Sequence, residues 1–121
     1  MYRSMMQVYV KESNKALEFY QKAFDAKLLC KYISEKDGTV EHSELDIYGQ
    51  IFAVSEQNDN EIITGNTMQF CLHFGEGKES EVQKAFDVLK EGAKIICSHC
   101  DYSPLMWDLI DKYGVRWCIF V

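Results

Sequence analysis

Apolar and polar residues alternate along Met5-Met6-Gln7-Val8-Tyr9-Val10. A period of two predicts a strand with Val8 and Val10 on one face and Met5, Gln7 and Tyr9 on the other. From Asn14 the period changes. Ala16, Leu17, Tyr20, Ala23 and Phe24 recur at helical spacing, with Glu18, Gln21, Lys22 and Asp25 on the outer side. Ser13 is the expected N-cap, and the helix runs to about Ala26. Lys27 to Ser34 predicts a second strand, and Lys36-Asp37-Gly38-Thr39 has turn chemistry. His42 to Ile47 and Ile51 to Ser55 predict two more strands around a turn at Tyr48-Gly49-Gln50.

Beyond a polar, aperiodic stretch the same order returns. Thr67 to Phe74 predicts a strand. Ser80 with Gln83 has the spacing of a capping box, and Val82, Ala85, Phe86 and Leu89 form a helical stripe that stops at Gly92. Ala93 to Ser98, Leu105 to Ile110 and Val115 to Val121 predict three strands, with Pro104 at the opening of the second. Particular residues return as well. Gln21-Lys22-Ala23-Phe24-Asp25 is repeated as Gln83-Lys84-Ala85-Phe86-Asp87, Met6-Gln7 as Met68-Gln69, and Asp46-x-Tyr48-Gly49 as Asp111-x-Tyr113-Gly114. Two copies of one supersecondary unit follow. The predicted class is α+β: residues 1–121 form one domain, with βαβββ modules at 1–56 and 67–121 joined by a linker at 57–66. The two modules are expected to form a curved mixed sheet around a cavity.

Each helix buries its stripe on one sheet face. Val8, Val10, Leu45 and Ile47 are therefore expected to face the first helix, and Phe70, Leu72 and Phe74 the second. The opposite faces receive Gln7, Tyr9, His42, Glu44, Gln69, Cys71 and His73. The repeat maps His42 onto Trp107, Glu44 onto Leu109 and Ala53 onto Cys118, with Arg116 and Phe120 on the side of Cys118. For any one of these residues a solvated face or a subunit contact is the plainer reading. As a set they have the composition of a small-molecule pocket, apolar walls with a few placed polar groups.

Composition narrows the partners. The net charge of −6 lacks the basic footprint that nucleic acid requires. No apolar run is long enough to span a bilayer, and no signal stretch opens the chain. Five cysteines, an odd number, with four in apolar runs, fit free thiols in a reducing cytoplasm. Cys97-Ser98-His99-Cys100 has no second cysteine pair to complete a zinc site and no helix after it, so it reads as two small side chains at a strand end.

The doubled βαβββ plan, Ala16-Leu17-Glu18-Phe19-Tyr20 with Ala23-Phe24, His42-x-Glu44-Leu45, and Asp111-Lys112-Tyr113-Gly114-Val115-x-Trp117 together resemble the vicinal oxygen chelate superfamily. That superfamily contains glyoxalase I, bleomycin-resistance proteins and extradiol dioxygenases, and the likeness is greatest to its PhnB-like branch. The resemblance implies the glyoxalase/bleomycin-resistance fold, a homodimer and a small-molecule ligand. It also implies a metal position on the first and last strand of each module, here Met5 or Gln7, Ala53, Gln69 and Cys118. Ala53 cannot ligate, and the others offer no carboxylate, so the ligand set reads as eroded and no metal residue is assigned. The cofactor stays open: a divalent metal is possible but not favoured, and His42, Glu44 and His73 are the residues that could rebuild a site.

The expected function is small-molecule binding. Gln7, Tyr9, Gln69, Trp107, Arg116, Cys118 and Phe120 are the binding residues, with Arg116 or His42 on an anionic or polar group. The alternative is a divalent-metal-dependent lyase, isomerase or dioxygenase, or a metal-free enzyme with His42 or Glu44 as general base.

Overall fold

The computed structural model describes residues 1–98 and 103–121. Cys100, half of the expected cysteine motif, lies outside them. The chain divides into two compact units, Met1–Ile62 and Ile63–Val121.

The first unit runs β1 (Met6–Val10), α1 (Ser13–Phe24), β2 (Lys27–Ile33), β3 (Val40–Ile47) and β4 (Gln50–Glu56). Its sheet order is β1-β4-β3-β2, with β1 parallel to β4 and the other pairs antiparallel. The second unit repeats this with β5 (Phe70–His73), α2 (Glu79–Leu89), β6 (Lys94–Ser98), β7 (Met106–Ile110) and β8 (Arg116–Phe120). Its order is β5-β8-β7-β6, again with one parallel pair. The expected α+β class with two βαβββ modules is the observed one.

Each unit keeps its apolar core between helix and sheet. In the first, Ala16, Leu17, Tyr20, Ala23 and Phe24 of α1 are buried together with Val10, Leu45, Ile47, Phe52 and Val54. Tyr20 meets Phe52 edge to face, with centroids 5.2 Å apart. Each buried Val, Leu, Ile or Phe side chain of this core contributes about 1.5–3 kcal/mol. In the second, Val82, Ala85 and Leu89 of α2 are buried, as are Leu72, Leu109, Trp117 and Ile119 of the sheet. Among the described residues, no helix is long and apolar enough to cross a membrane.

Both helix starts differ from expectation. Glu12, in the left-handed region, occupies the N-cap of α1, and no side chain caps it. Ser13 lies inside the first turn and is buried. Its hydroxyl accepts the Val40 N–H at 2.9 Å, while its own N–H donates to Glu56 Oε1 at 3.1 Å. Tertiary partners have taken the group that would have capped the helix. At α2 the N-cap is Lys78. Ser80 donates to Glu81 and Gln83 to Asp87, so the expected capping box does not form.

The hairpins of the two units also differ. Ile47 pairs with Gln50 around a two-residue turn, where Tyr48 and Gly49 both have positive φ, 52° and 88°. This is the backbone of a tight hairpin whose twist matches its strands. In the second unit Ile110 pairs with Arg116 around a longer loop. Asp111 is buried there. Its carboxylate accepts the Tyr113 and Val115 N–H groups and the Trp117 indole N–H at 2.8–3.0 Å.

That extra length changes the correspondence of the halves. Glu44 pairs with Ala53 and Asp108 with Cys118; Gln7 pairs with Ala53 and Cys71 with Cys118. Glu44 is therefore matched by Asp108, not Leu109, and Gln7 by Cys71, not Gln69. The shared Asp-x-Tyr-Gly letters align two turns of unequal length. A slip of one residue moves a side chain to the other face of a sheet.

Candidate functional site

Paired strand residues share a face, so the register assigns each side chain. In the first unit Gln7, Tyr9, Cys30, Tyr32, His42, Glu44, Ala53 and Ser55 lie opposite α1. Gln7 donates to Ser55 Oγ at 3.1 Å. Tyr9 is 61% exposed, a free aromatic surface. Tyr32 stacks on His42 at 6.5 Å between centroids.

Glu44 is the centre of this face. It is only 7% exposed, and Arg3 grips both of its oxygens, Nη1 to Oε2 at 2.7 Å and Nη2 to Oε1 at 2.8 Å. His42 Nε2 lies 3.0 Å from Oε1. The Arg3 hydrogen bonds, followed by that from His42, outweigh desolvation and lower the Glu44 carboxyl to about 2. A carboxylate so stabilised is a poor proton acceptor at neutral pH, which weighs against Glu44 as general base.

In the second unit Gln69 precedes β5, and Cys71, His73, Asp108, Arg116, Cys118 and Phe120 lie opposite α2. Arg116 donates to Asp108 through Nε at 3.1 Å and Nη2 at 2.8 Å, and through Nη1 to the Asn66 carbonyl at 2.7 Å. Gln69 Nε2 also donates to Asp108 Oδ1, at 2.8 Å. The guanidinium is thus already neutralised by a carboxylate, which argues against the anion-holding role expected of it. His73 stacks flat on Phe120 at 4.5 Å. Burial, with Cys71 and Asp108 nearby, pushes the Cys118 thiol up to about 11, so at neutral pH it is a thiol and not a thiolate.

Trp107 is the site residue that the structure moves. It pairs with Ile119 on the helix side of β7, and its ring stacks on Phe86 of α2 at 3.6 Å and 7°. It was expected on the open face because the repeat was read one residue out of register. Asp108 takes the place on the open face.

The positions that the superfamily resemblance implies for metal can be read from the register. In the first unit they are Gln7 beside Ala53, whose methyl offers no donor. In the second, the strand partner of Cys118 is Cys71, not Gln69. Neither pair supplies an imidazole or a carboxylate. Of the expected rebuilding residues, His42 and Glu44 are in contact, while His73 stacks in the other unit.

Five members of these faces escaped the sequence reading, among them Tyr32, which pairs with His42 across β2 and β3. Arg3 lies before the first strand, with no periodic pattern to place it. Asp108 was hidden by the register slip. Cys30 faces Glu44 because β2 carries a bulge between Leu28 and Cys30. Ser55 follows Ala53 on the same face, a period-two neighbour that could have been read. Free thiols were expected throughout. Cys30, Cys71 and Cys118 are free, whereas Cys97 is disulfide-bonded. Composition counts sulfurs but does not report their pairing. Two surface concavities lie elsewhere, about 450 Å³ beside Thr64, Asn66 and Ile110 and about 580 Å³ beside Ser34, Asp37 and Asn58. No expected site residue lines either one.

No family model and no curated protein matches the sequence. Solved structures do match the fold. A putative 3-demethylubiquinone-9 3-methyltransferase, a PhnB protein from Bacillus cereus, superposes with a TM-score of 0.81 over 98% of both chains at 22% identity. The fosfomycin resistance protein FosX of Listeria monocytogenes, complexed with Mn(II) and 1S,2S-dihydroxypropylphosphonic acid, gives 0.68 over 98% of this chain and 90% of that one at 17% identity. TioX from Micromonospora sp. ML1 gives 0.64 over 97% and 93% at 17% identity. The chain has the fold of the vicinal oxygen chelate proteins. Within this glyoxalase fold, the helix-free sheet faces of the present chain combine aromatic rings with paired charges.

Proposed function

We propose that the protein is a PhnB-like small-molecule-binding protein of the glyoxalase fold, with an eroded metal-ligand set at the superfamily positions, acting as a homodimer. One observation carries the reading. Neither helix-free face is aliphatic: one bears Gln7, Tyr9, His42 and Glu44, the other Cys71, His73, Arg116 and Phe120. Sheet faces built for packing alone have no use for an Arg–carboxylate pair on each.

The state of the charges supports binding over catalysis. Glu44 and Asp108 each hold a guanidinium, so neither is a free base. What remains available is ring surface and hydrogen-bonding edges: Tyr9, Tyr32 with His42, and His73 with Phe120. These suit a flat, largely neutral molecule with a few polar groups. The Listeria neighbour also carries a small molecule, though an acyclic phosphonate held with Mn(II) and not a flat neutral one.

Protein-observed NMR tests the reading. ¹⁵N-labelled protein is titrated with a panel of neutral planar aromatic amides. Shifts are expected to cluster at Gln7, Tyr9 and His42 or at Cys71, His73 and Phe120. A panel that moves only helix resonances, or none, overturns it.

A further inference from the structure

The cluster on β2 and β3 has a second property that ligand stacking does not use. Cys30 Sγ, a ring nitrogen of His42 and a carboxylate oxygen of Glu44 all lie within 4.8 Å of one another. The three come together through the local backbone. His42 and Glu44 are two residues apart on β3 and so share a face. Cys30 pairs across the strands with Glu44. It does so only because of the bulge after Leu28. Leu28 pairs with Leu45, so an unbroken ladder would set Leu29 opposite Glu44; the inserted residue sets Cys30 there instead. A bulge that re-aims one side chain is a recurrent device beside functional sites.

We propose that Cys30, His42 and Glu44 form a zinc-binding site, separate from the strand positions at which the superfamily resemblance places metal. The donor set selects the ion. One sulfur, one imidazole nitrogen and one carboxylate oxygen match the ligands that zinc takes, whereas magnesium and manganese prefer oxygen-rich sites. Three protein ligands leave a fourth tetrahedral position for water or a small-molecule donor. The site is half-buried: Glu44 is enclosed while His42 and Cys30 are partly exposed, which leaves a path for the ion. Arg3 supplies the counter-charge on Glu44. It comes from the segment before β1, so it can withdraw without disturbing the sheet. Zinc binding converts the Cys30 thiol to a thiolate, and the proton is released to solvent.

The probe is the metal ion alone, so the outcome does not depend on the ligand reading above. Zinc is titrated into the full-length, metal-stripped protein by calorimetry, and cobalt(II) into a parallel sample read by absorbance. We expect about one equivalent of zinc per chain and a sulfur-to-cobalt charge-transfer band in the near ultraviolet. Cys30→Ser abolishes the band, and His42→Ala weakens zinc binding by more than about tenfold. A Cys71→Ser/Cys118→Ser variant keeps both band and affinity. Far-ultraviolet circular dichroism checks that each variant is folded. Should Cys30→Ser not fold, zinc-induced ¹⁵N shifts in the wild-type chain, expected at Cys30, His42 and Glu44, decide the matter. A band that survives Cys30→Ser, one lost with Cys71 and Cys118, or no retained zinc overturns the proposal.

Discussion

At the scale of single residues, the two acidic side chains Glu44 and Asp111 are enclosed for different reasons. Glu44 is held by Arg3 and His42, and its carboxyl is lowered from 4.5 to about 2. A depressed folded-state value contributes stability above the unfolded value, and that stability is lost as pH falls through the folded one. Acid titration of wild-type protein is therefore expected to lose stability between about pH 5 and 2, and Glu44→Gln to flatten that segment. Denaturant midpoints at stepped pH measure it; identical slopes in the two proteins count against the Arg3–Glu44 pair. Asp111 instead serves the fold, accepting from two backbone N–H groups and the Trp117 indole. Asp111→Ala leaves those donors buried, and the expected loss is about 2–4 kcal/mol, read from chemical denaturation. Composition could not separate these two roles. Both residues appear in the sequence as acids near a strand, and only their partners tell them apart.

At the scale of elements, hydrophobic period placed both helices and every strand, because each element buries one face and that burial writes the pattern. Boundaries followed less well. β3 begins at Val40, two residues before its alternating pattern, because its ladder with β2 continues past a register shift to the Ile33–Val40 pair. β5 covers only Phe70–His73 of a longer expected strand. The faces of β7 were legible only through its register, and the register depended on the length of a loop. Trp107 carries the consequence. Its stack on Phe86 predicts that Trp107→Ala and Phe86→Ala each destabilise the protein, with a coupling of about 0.5–1.5 kcal/mol in a double-mutant cycle. Fully additive losses would deny the contact. The turn at Tyr48-Gly49 permits a further check. Gly49 has φ 88° with open space around it. Gly49→Ala is therefore expected to cost about 1 kcal/mol through backbone conformation alone, measured as a shift in the urea midpoint.

At the scale of the whole molecule, the internal repeat was the clearest message in the sequence, and topology repeats accordingly. The chemistry does not repeat. Where one unit has Gln7, Ala53 and Glu44, the other has Cys71, Cys118 and Asp108. Each unit retains a carboxylate–guanidinium pair, but Arg3 comes from before the first strand and Arg116 from the last. Packing constrains the helix-facing residues in common, while the open faces are free to diverge, so letters that echo across the halves are a poor guide to function. The proposed homodimer is tested by sedimentation velocity. A species of twice the chain mass is expected at micromolar concentration, and a monomer throughout removes that part of the proposal.

Ser13 joins these scales. Its hydroxyl and amide fasten the opening of α1 to the first amide of β3 and the last side chain of β4. The first turn of the helix is therefore tied to the sheet and is not free to unwind alone. Deuterium uptake at Ser13 and Val40 is expected to keep the slow clock of global opening, and Ser13→Ala to let both amides exchange by local fraying.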